Sequence, residues 1–209
     1  MTVGLAEATS RVAAIDPALA KVVQQAGPIH HRERDPDGPF AALARAITFQ
    51  QLSGRSAIAI HTRLRALVDG PFTPSALMAL TDDQLLGAGL SHAKVAALRD
   101  LSEKVIDGTV VLQAGARMPD DEIIDRLVSV RGIGPWTAEM FLIFELHRLD
   151  VWPVDDLGVR QGFAQIWPRS QLLTPKQLEP EGERFRPYRT VLTRYCWAAA
   201  TMGTDVDLR

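Results

Sequence analysis

The sequence predicts an all-α fold, and three observations carry that reading. Apolar residues recur at helical spacing along nearly the whole chain, as in Phe40, Leu43, Ala44 and Ile47 at i, i+3, i+4 and i+7. Helix-start signals punctuate the pattern: Asp16-Pro17, Gly38-Pro39, Thr73-Pro74, Thr81-Asp82-Asp83, Ser91 and Pro119-Asp120-Asp121-Glu122 each precede an apolar run. Strand-like character is confined to Thr109–Leu112, too short to found a sheet.

The elements follow in order. Pro17 sits in the first turn of a helix to about Gln25, where its missing N–H is no loss. The polar run His30–Asp37 reads as a surface connection to a second helix, from Gly38-Pro39 to about Leu52. Ser53-Gly54 breaks that helix, and Ile58, Ile60, Leu64 and Leu67 mark the next, from about Arg55 to Val68. Short helices stand behind Thr73 and Thr81, and a longer one runs from Ser91 through Ile106 to the stop at Asp107-Gly108. The acids at 120–122 favour a helix start against its dipole, and that helix ends at Val130. Helices from Pro135 to about Leu146, from about Asp156, and from Pro187 to about Met202 complete about ten helices.

The chain has 209 residues, enough for one or two domains. With 46% hydrophobic and 23% charged residues it is composed like a globular protein and not a disordered one. Lys and Arg number 23 against 25 Asp and Glu, a net charge of −2, which excludes binding nucleic acid by bulk charge. That average conceals polarity: residues 38–66 contain Arg45, Arg55, Arg63 and Arg65 and no acid. Cys196 is the single cysteine, so no intramolecular disulfide and no cysteine-built zinc or iron–sulfur site can form, which fits a reducing cytoplasm. The five histidines make no HxxxH or HExxH spacing. No run of 18 apolar residues suggests a membrane span, and Met1–Glu7 lacks the pattern of a secretory leader.

The most informative stretch is Leu127-Val-Ser-Val-Arg-Gly-Ile-Gly-Pro-Trp-Thr-Ala-Glu-Met140, followed by Leu149-Asp-Val-Trp-Pro-Val-Asp-Asp-Leu-Gly158. Gly132 and Gly134 bracket Ile133 between two helices. Glycines there permit positive φ and close approach of the backbone to an outside group. Pro135 opens the second helix, and the amides of the turn and helix start form an anion cradle suited to a phosphate, without lysines. Ile133 is expected to plug the hairpin between its helices. A plain helix–turn–helix corner is the structural alternative. About twenty residues on, Asp155-Asp156 stands before an apolar helix, where a pair of acids also serves as a simple N-cap.

Taken together, Leu-x-x-x-x-Gly-Ile-Gly-x-Trp-Thr-Ala and the later Pro-x-Asp-Asp resemble the helix-hairpin-helix/Gly-Pro-Asp superfamily of base-excision DNA glycosylases, most of all its alkylation-repair branch, that of 3-methyladenine DNA glycosylase II. Three further segments agree with that branch: Arg45-Ala46-Ile47-x-x-Gln50-Gln51-Leu52-Ser53, Gly89-Leu90-Ser91-x-x-Lys94, and Arg186-Pro187-Tyr188-Arg189 followed by Trp197. The resemblance spans roughly residues 35–203.

The resemblance implies roles. Asp156 is the catalytic carboxylate, favoured over Asp155 by its spacing from Trp136 and by the Leu157-Gly158-Val159 that follows. A fixed anion stabilises the oxocarbenium charge that builds on the sugar as the glycosidic bond breaks. Trp136, Trp197, Met140 and Asp155 border the base pocket. Members with lyase activity carry a lysine where Trp136 stands, so a monofunctional glycosylase that leaves an abasic site is implied. Arg131, Gly132, Ile133, Gly134 and Thr137 form the DNA-binding hairpin. Gln51 or Leu52 fills the gap left by a flipped base, with Gln50, Arg45, Arg55 and Arg189 as further DNA contacts and Arg186 beside them.

The resemblance also implies a monovalent cation, Na+ or K+, held by the backbone carbonyls of Arg131, Gly132 and Gly134, and no iron–sulfur cluster. The fold is that of a compact, two-lobed helical glycosylase without an N-terminal β domain. One lobe spans about 54–134, the other about 1–53 with 135–209, and the DNA cleft lies between. The partner is double-stranded DNA with a damaged base, met by a monomer with no membrane attachment in the cytoplasm, on bacterial nucleoid DNA. The substrates are alkylated purines such as 3-methyladenine and 7-methylguanine. The alternatives are a non-catalytic helix-hairpin-helix DNA-binding module, a glycosylase for deaminated bases such as hypoxanthine, and a helical interaction protein without nucleic acid.

Overall fold

The computed structural model describes residues 3–112 and 118–202; Met1, Thr2 and Gly203, which entered the reading of the two termini, lie outside these. Every regular element among the described residues is helical: α1 (Leu5–Ile15), α2 (Pro17–Ala26), α3 (Pro39–Phe49), α4 (Gly54–Ala66), α5 (Pro74–Met78), α6 (Asp82–Gly87), α7 (His92–Ile106), α8 (Asp120–Val128), α9 (Pro135–Phe144), α10 (Leu157–Ile166), α11 (Pro175–Leu178), a 3-10 segment (Glu179–Phe185) and α12 (Arg189–Met202).

The start signals act as expected. Asp16 caps α2 by accepting from the amides of Ala18 and Leu19, Thr81 and Gln84 form a reciprocal capping box on α6, and Ser91 accepts from the Lys94 amide at the start of α7. Thr109–Leu112 is not a strand. The chain there turns back on α7, with Gly108 at φ +82 and the Val110 amide bonded to the Lys104 carbonyl at 2.8 Å. Two helices lie where none is expected, α1 and α11, and the last helix begins at Arg189 and not at Pro187.

The chain divides into two units, one of residues up to 32 with those from 147, the other of residues 33–146. The division therefore falls at 32/33 and 146/147, and α3 and α9 belong with the middle helices, not with the terminal ones.

The first unit is built on α10 and α12. Val159, Phe163 and Ile166 are buried with Val191, Leu192, Tyr195, Cys196 and Ala199, and Leu5, Ala8, Val12 and Leu19 of α1 and α2 join the same core. Gly162 permits the approach: a Cβ there would lie 1.7 Å from the Cys196 carbonyl oxygen. Burial pushes the Cys196 thiol far above its usual value, so it stays a neutral packing group.

In the second unit Phe40, Leu43, Ala44 and Ile47 are all buried, so the face read from their spacing is the core face of α3. Ile133 is 4% exposed and plugs the hairpin as expected.

Candidate functional site

The first unit presents Asp156 at the N-cap of α10. Its Oδ1 accepts the Val159 amide at 2.8 Å and the Trp197 indole N–H at 3.0 Å. Charge-assisted hydrogen bonds of this kind fix a carboxylate in one rotamer. The contact depends on the next residue but one: a Cβ at Gly158 would stand 3.1 Å from Asp156 Oδ1 and 3.2 Å from Trp197 Cδ1. Glycine at 158 thus lets the indole of α12 reach the carboxylate of α10. Asp156 is partly buried, whereas Asp155 is exposed and makes no hydrogen bond among the described residues. Asp156, and not its neighbour Asp155, caps α10 and has its carboxylate fixed. Trp197 was expected as a pocket wall; its N–H also holds Asp156, a role that the sequence spacing did not reveal.

The arginines at the start of α12 are a correction. Arg189 Nε donates to Asp150 Oδ1 at 2.8 Å, its Nη2 donates to Asp150 Oδ2 at 3.0 Å and to the Asp150 carbonyl at 3.1 Å, and its side chain is 12% exposed. Arg186 bonds Asp150 and Glu183. These guanidinium groups clamp the loop before α10 to the start of α12, and the Nε and Nη2 of Arg189 are committed to Asp150 and not to a phosphate.

The second unit presents the hairpin and the 50–52 tip. Gly132 takes φ +77, the left-handed region that glycine enters freely, and its missing Cβ leaves 3.4 Å to Ala97 Cβ. Gly134 differs: it is extended at φ −94 and ψ 172, and a Cβ there would meet nothing within 4 Å. Its lack of a side chain leaves the backbone approachable from outside. The first turn of α9 has no intrahelical acceptor for its amides, which is what an anion cradle requires.

One amide of the expected cradle is engaged. Arg131 N donates to Asp100 Oδ2 at 2.6 Å. Burial works to raise the Asp100 carboxyl, but the Lys104 ammonium and this amide outweigh it and hold it below its ordinary value. The Arg131 side chain is exposed.

Two of the three carbonyls expected to hold a cation each accept one hydrogen bond, which leaves a second lone pair on each oxygen. Gly132 O accepts Gln50 Nε2 at 2.9 Å, and Gly134 O accepts the Ala138 amide at 3.1 Å as the first bond of α9.

Gln50 is the second correction. Its side-chain amide donates to the hairpin, at Gly132 O and more distantly at Thr137 Oγ1 at 3.5 Å, so its N–H group is engaged within the fold and is not free for DNA. Gln51 and Leu52 are both exposed. Gln51 has φ +56, and a non-glycine residue in this region costs on the order of 1–2 kcal/mol, the kind of strain that persists where surroundings enforce it.

Lys94 reaches the carbonyls beside Gln51. Its Nζ donates to the Thr48 carbonyl at 2.6 Å and the Gln50 carbonyl at 2.9 Å, satisfying the end of α3 with a cation where the helix dipole favours one. Burial lowers the Lys94 ammonium below its ordinary value.

The basic patch of residues 38–66 is smaller than its composition suggests. Arg65 pairs with Asp37, one residue before that window, at 2.7 Å and bonds the Val68 and Gly70 carbonyls. Arg63 Nε donates to the Ala88 carbonyl at 2.8 Å. Arg45, over the Phe49 ring at 5.0 Å, and Arg55 stay exposed near the tip. Trp136, on the first turn of α9, is 49% exposed, and Met140 one turn on is partly buried.

The hairpin between two helices, the glycine pair at its turn and the capped aspartate are the marks of a helix-hairpin-helix DNA repair fold. The model of the HhH-GPD superfamily of base excision DNA repair proteins matches residues 44–187, and the chain belongs to that family. It is 32% identical over 188 residues to DNA-3-methyladenine glycosylase 1 of Schizosaccharomyces pombe, covering 88% of this chain and 82% of that protein. Over 209 residues it is 31% identical to DNA-3-methyladenine glycosylase of Saccharomyces cerevisiae, covering 81% and 69%.

Among solved structures, DNA-3-methyladenine glycosidase of Bacillus halodurans superposes with a TM-score of 0.85 at 34% identity, over 92% of this chain and 88% of that one. The Schizosaccharomyces pombe 3-methyladenine DNA glycosylase in complex with abasic DNA superposes with a TM-score of 0.78 at 31% identity, over 91% and 95%. Among the described residues no helix is long and apolar enough to cross a membrane.

Proposed function

We propose that the chain is a monofunctional DNA glycosylase that excises alkylated purines from duplex DNA. The observation that carries the reading is the carboxylate of Asp156, fixed by the Val159 amide and the Trp197 indole with Gly158 clearing the way. A non-catalytic DNA-binding module has no use for a rigidly held acid at a helix start other than as a cap, and a cap needs no indole. Kinship with proteins named as 3-methyladenine glycosylases supports the substrate class.

The reaction is a hydrolysis. The bond between the sugar C1′ and the purine nitrogen breaks, and its electron pair leaves with the base. An N3- or N7-alkylated purine is cationic and leaves neutral. The sugar becomes oxocarbenium-like, Asp156 stabilises that charge, and water adds its oxygen to C1′ while its proton passes to solvent. The exposed face of Trp136 would attract a cationic base by roughly 0.5–2 kcal/mol. An indole is no amine nucleophile, so no Schiff base forms there and the strand stays whole.

The hairpin supplies grip on the backbone. Since a Cβ on Gly134 meets nothing in the fold, Gly134→Val should melt as the wild type does while its affinity for duplex DNA falls about tenfold, read by fluorescence anisotropy. Unchanged affinity would remove the hairpin from the interface. The activity itself is tested by chromatography of bases released from methylated duplex DNA: 3-methyladenine and 7-methylguanine are expected, and hypoxanthine release from deaminated DNA in their place would move the substrate class.

A further inference from the structure

We propose that Lys94 is a positioning residue that presets the 50–52 tip and, through Gln50, locks it to the hairpin, so that both meet DNA with a vacant base position as one rigid surface. The proposal rests on the reading of the chain as a DNA glycosylase, and it concerns how the gap in DNA is filled, not which base is removed.

Two segments far apart in the sequence converge on Gln50. Its backbone carbonyl accepts from Lys94, and its side-chain amide donates to the Gly132 carbonyl, 82 positions away. Lys94 stands in the first turn of α7, and the rest of that helix backs the hairpin. Ala97 lies against Gly132, Asp100 accepts the Arg131 amide, and Lys104 bonds both Asp100 and the Ser129 carbonyl at the end of α8. Positions 94, 97, 100 and 104 share one face of an α-helix. One stripe of α7 therefore supports the tip at its start and the hairpin further along.

The tip needs such support because Gln51 holds a left-handed backbone that the exposed segment would not keep by itself. A turn held in the bound conformation before DNA arrives loses little freedom on binding, so the gap-filling side chain engages at lower entropic cost. An ammonium between two carbonyls of one turn provides this hold, and a methionine of similar length does not.

The test uses the full chain and two duplexes of one sequence, one intact and one with a tetrahydrofuran abasic analogue, read by fluorescence anisotropy. The wild type should prefer the abasic duplex. Lys94→Met should lose about tenfold in abasic affinity with little change on the intact duplex, and Lys94→Arg should recover part of the loss. Gln50→Ala, at a half-exposed side chain, is the second variant: it decides the matter if Lys94→Met does not fold by circular dichroism, and it should also lower the abasic preference. The proposal is overturned if the wild type shows no preference, if a folded Lys94→Met or Gln50→Ala keeps the wild-type preference, or if both duplexes weaken equally. A wild type that prefers abasic DNA yet releases no base from methylated DNA leaves the positioning role standing and refutes the activity.

Discussion

Asp156→Asn should abolish most base release while leaving the protein folded. Removing a preorganised charge of this kind costs on the order of 10²–10³ in rate. The substitution is clean because asparagine caps a helix about as well as aspartate. Its amide oxygen can still accept the Val159 amide and the Trp197 indole N–H. Melting temperature and abasic-DNA affinity should therefore stay near the wild-type values, and the single-turnover rate alone should fall. Asp155→Asn is the control. That side chain is exposed and makes no hydrogen bond among the described residues, so its rate should stay near the wild type. A full rate in Asp156→Asn with a collapse in Asp155→Asn would exchange the two roles.

Gly162→Ala should be the most damaging small substitution in the first unit. The added Cβ would stand 1.7 Å from the Cys196 carbonyl oxygen and 2.4 Å from the carbonyl carbon. Backbone cannot rotate aside as a side-chain tip can, so α10 and α12 must separate. That would open the core formed by Val159, Phe163, Val191, Tyr195 and Cys196. We expect a loss of at least about 3 kcal/mol, typical of the upper range for overpacking. At roughly 2–4 °C per kcal/mol for a chain of this length, the melting midpoint should fall by about 6–12 °C. Gly134→Ala, where a Cβ meets nothing, should shift the midpoint little. A Gly162→Ala midpoint within a degree of the wild type would contradict the packing described for α10 and α12.

The parts of this molecule that are legible in sequence are those set by short-range chemistry. Asp16, Thr81 and Ser91 could be read as caps because a cap is a local hydrogen bond, and the buried face of α3 followed from spacing alone. Ile133 followed from its place between two glycines.

What stayed hidden depends on partners distant in sequence. Arg189 looks like any surface arginine until Asp150, 39 positions earlier, is seen to hold it. Arg65 belongs to a basic run only until Asp37 is placed against it. Gln50 and Lys94 each belong to a short motif, but neither motif says that they meet, or that Gln50 ends at Gly132. Trp197 could be read as an aromatic wall, but its N–H bond to Asp156 required the helix crossing that Gly158 and Gly162 allow. The division into units at 32/33 and 146/147 is hidden for the same reason: which helices α3 and α9 pack with is a long-range fact.

The most direct test of the central claim is a single incubation of methylated duplex DNA with the wild-type chain, scored twice. Alkali-labile sites should accumulate together with free 3-methyladenine and 7-methylguanine, the strands should remain intact until alkali or heat is applied, and both signals should fall at least a hundredfold with Asp156→Asn. Strand breaks without alkali would contradict the monofunctional mechanism. No released alkylpurine from the wild type, on DNA that it binds, would contradict the activity itself.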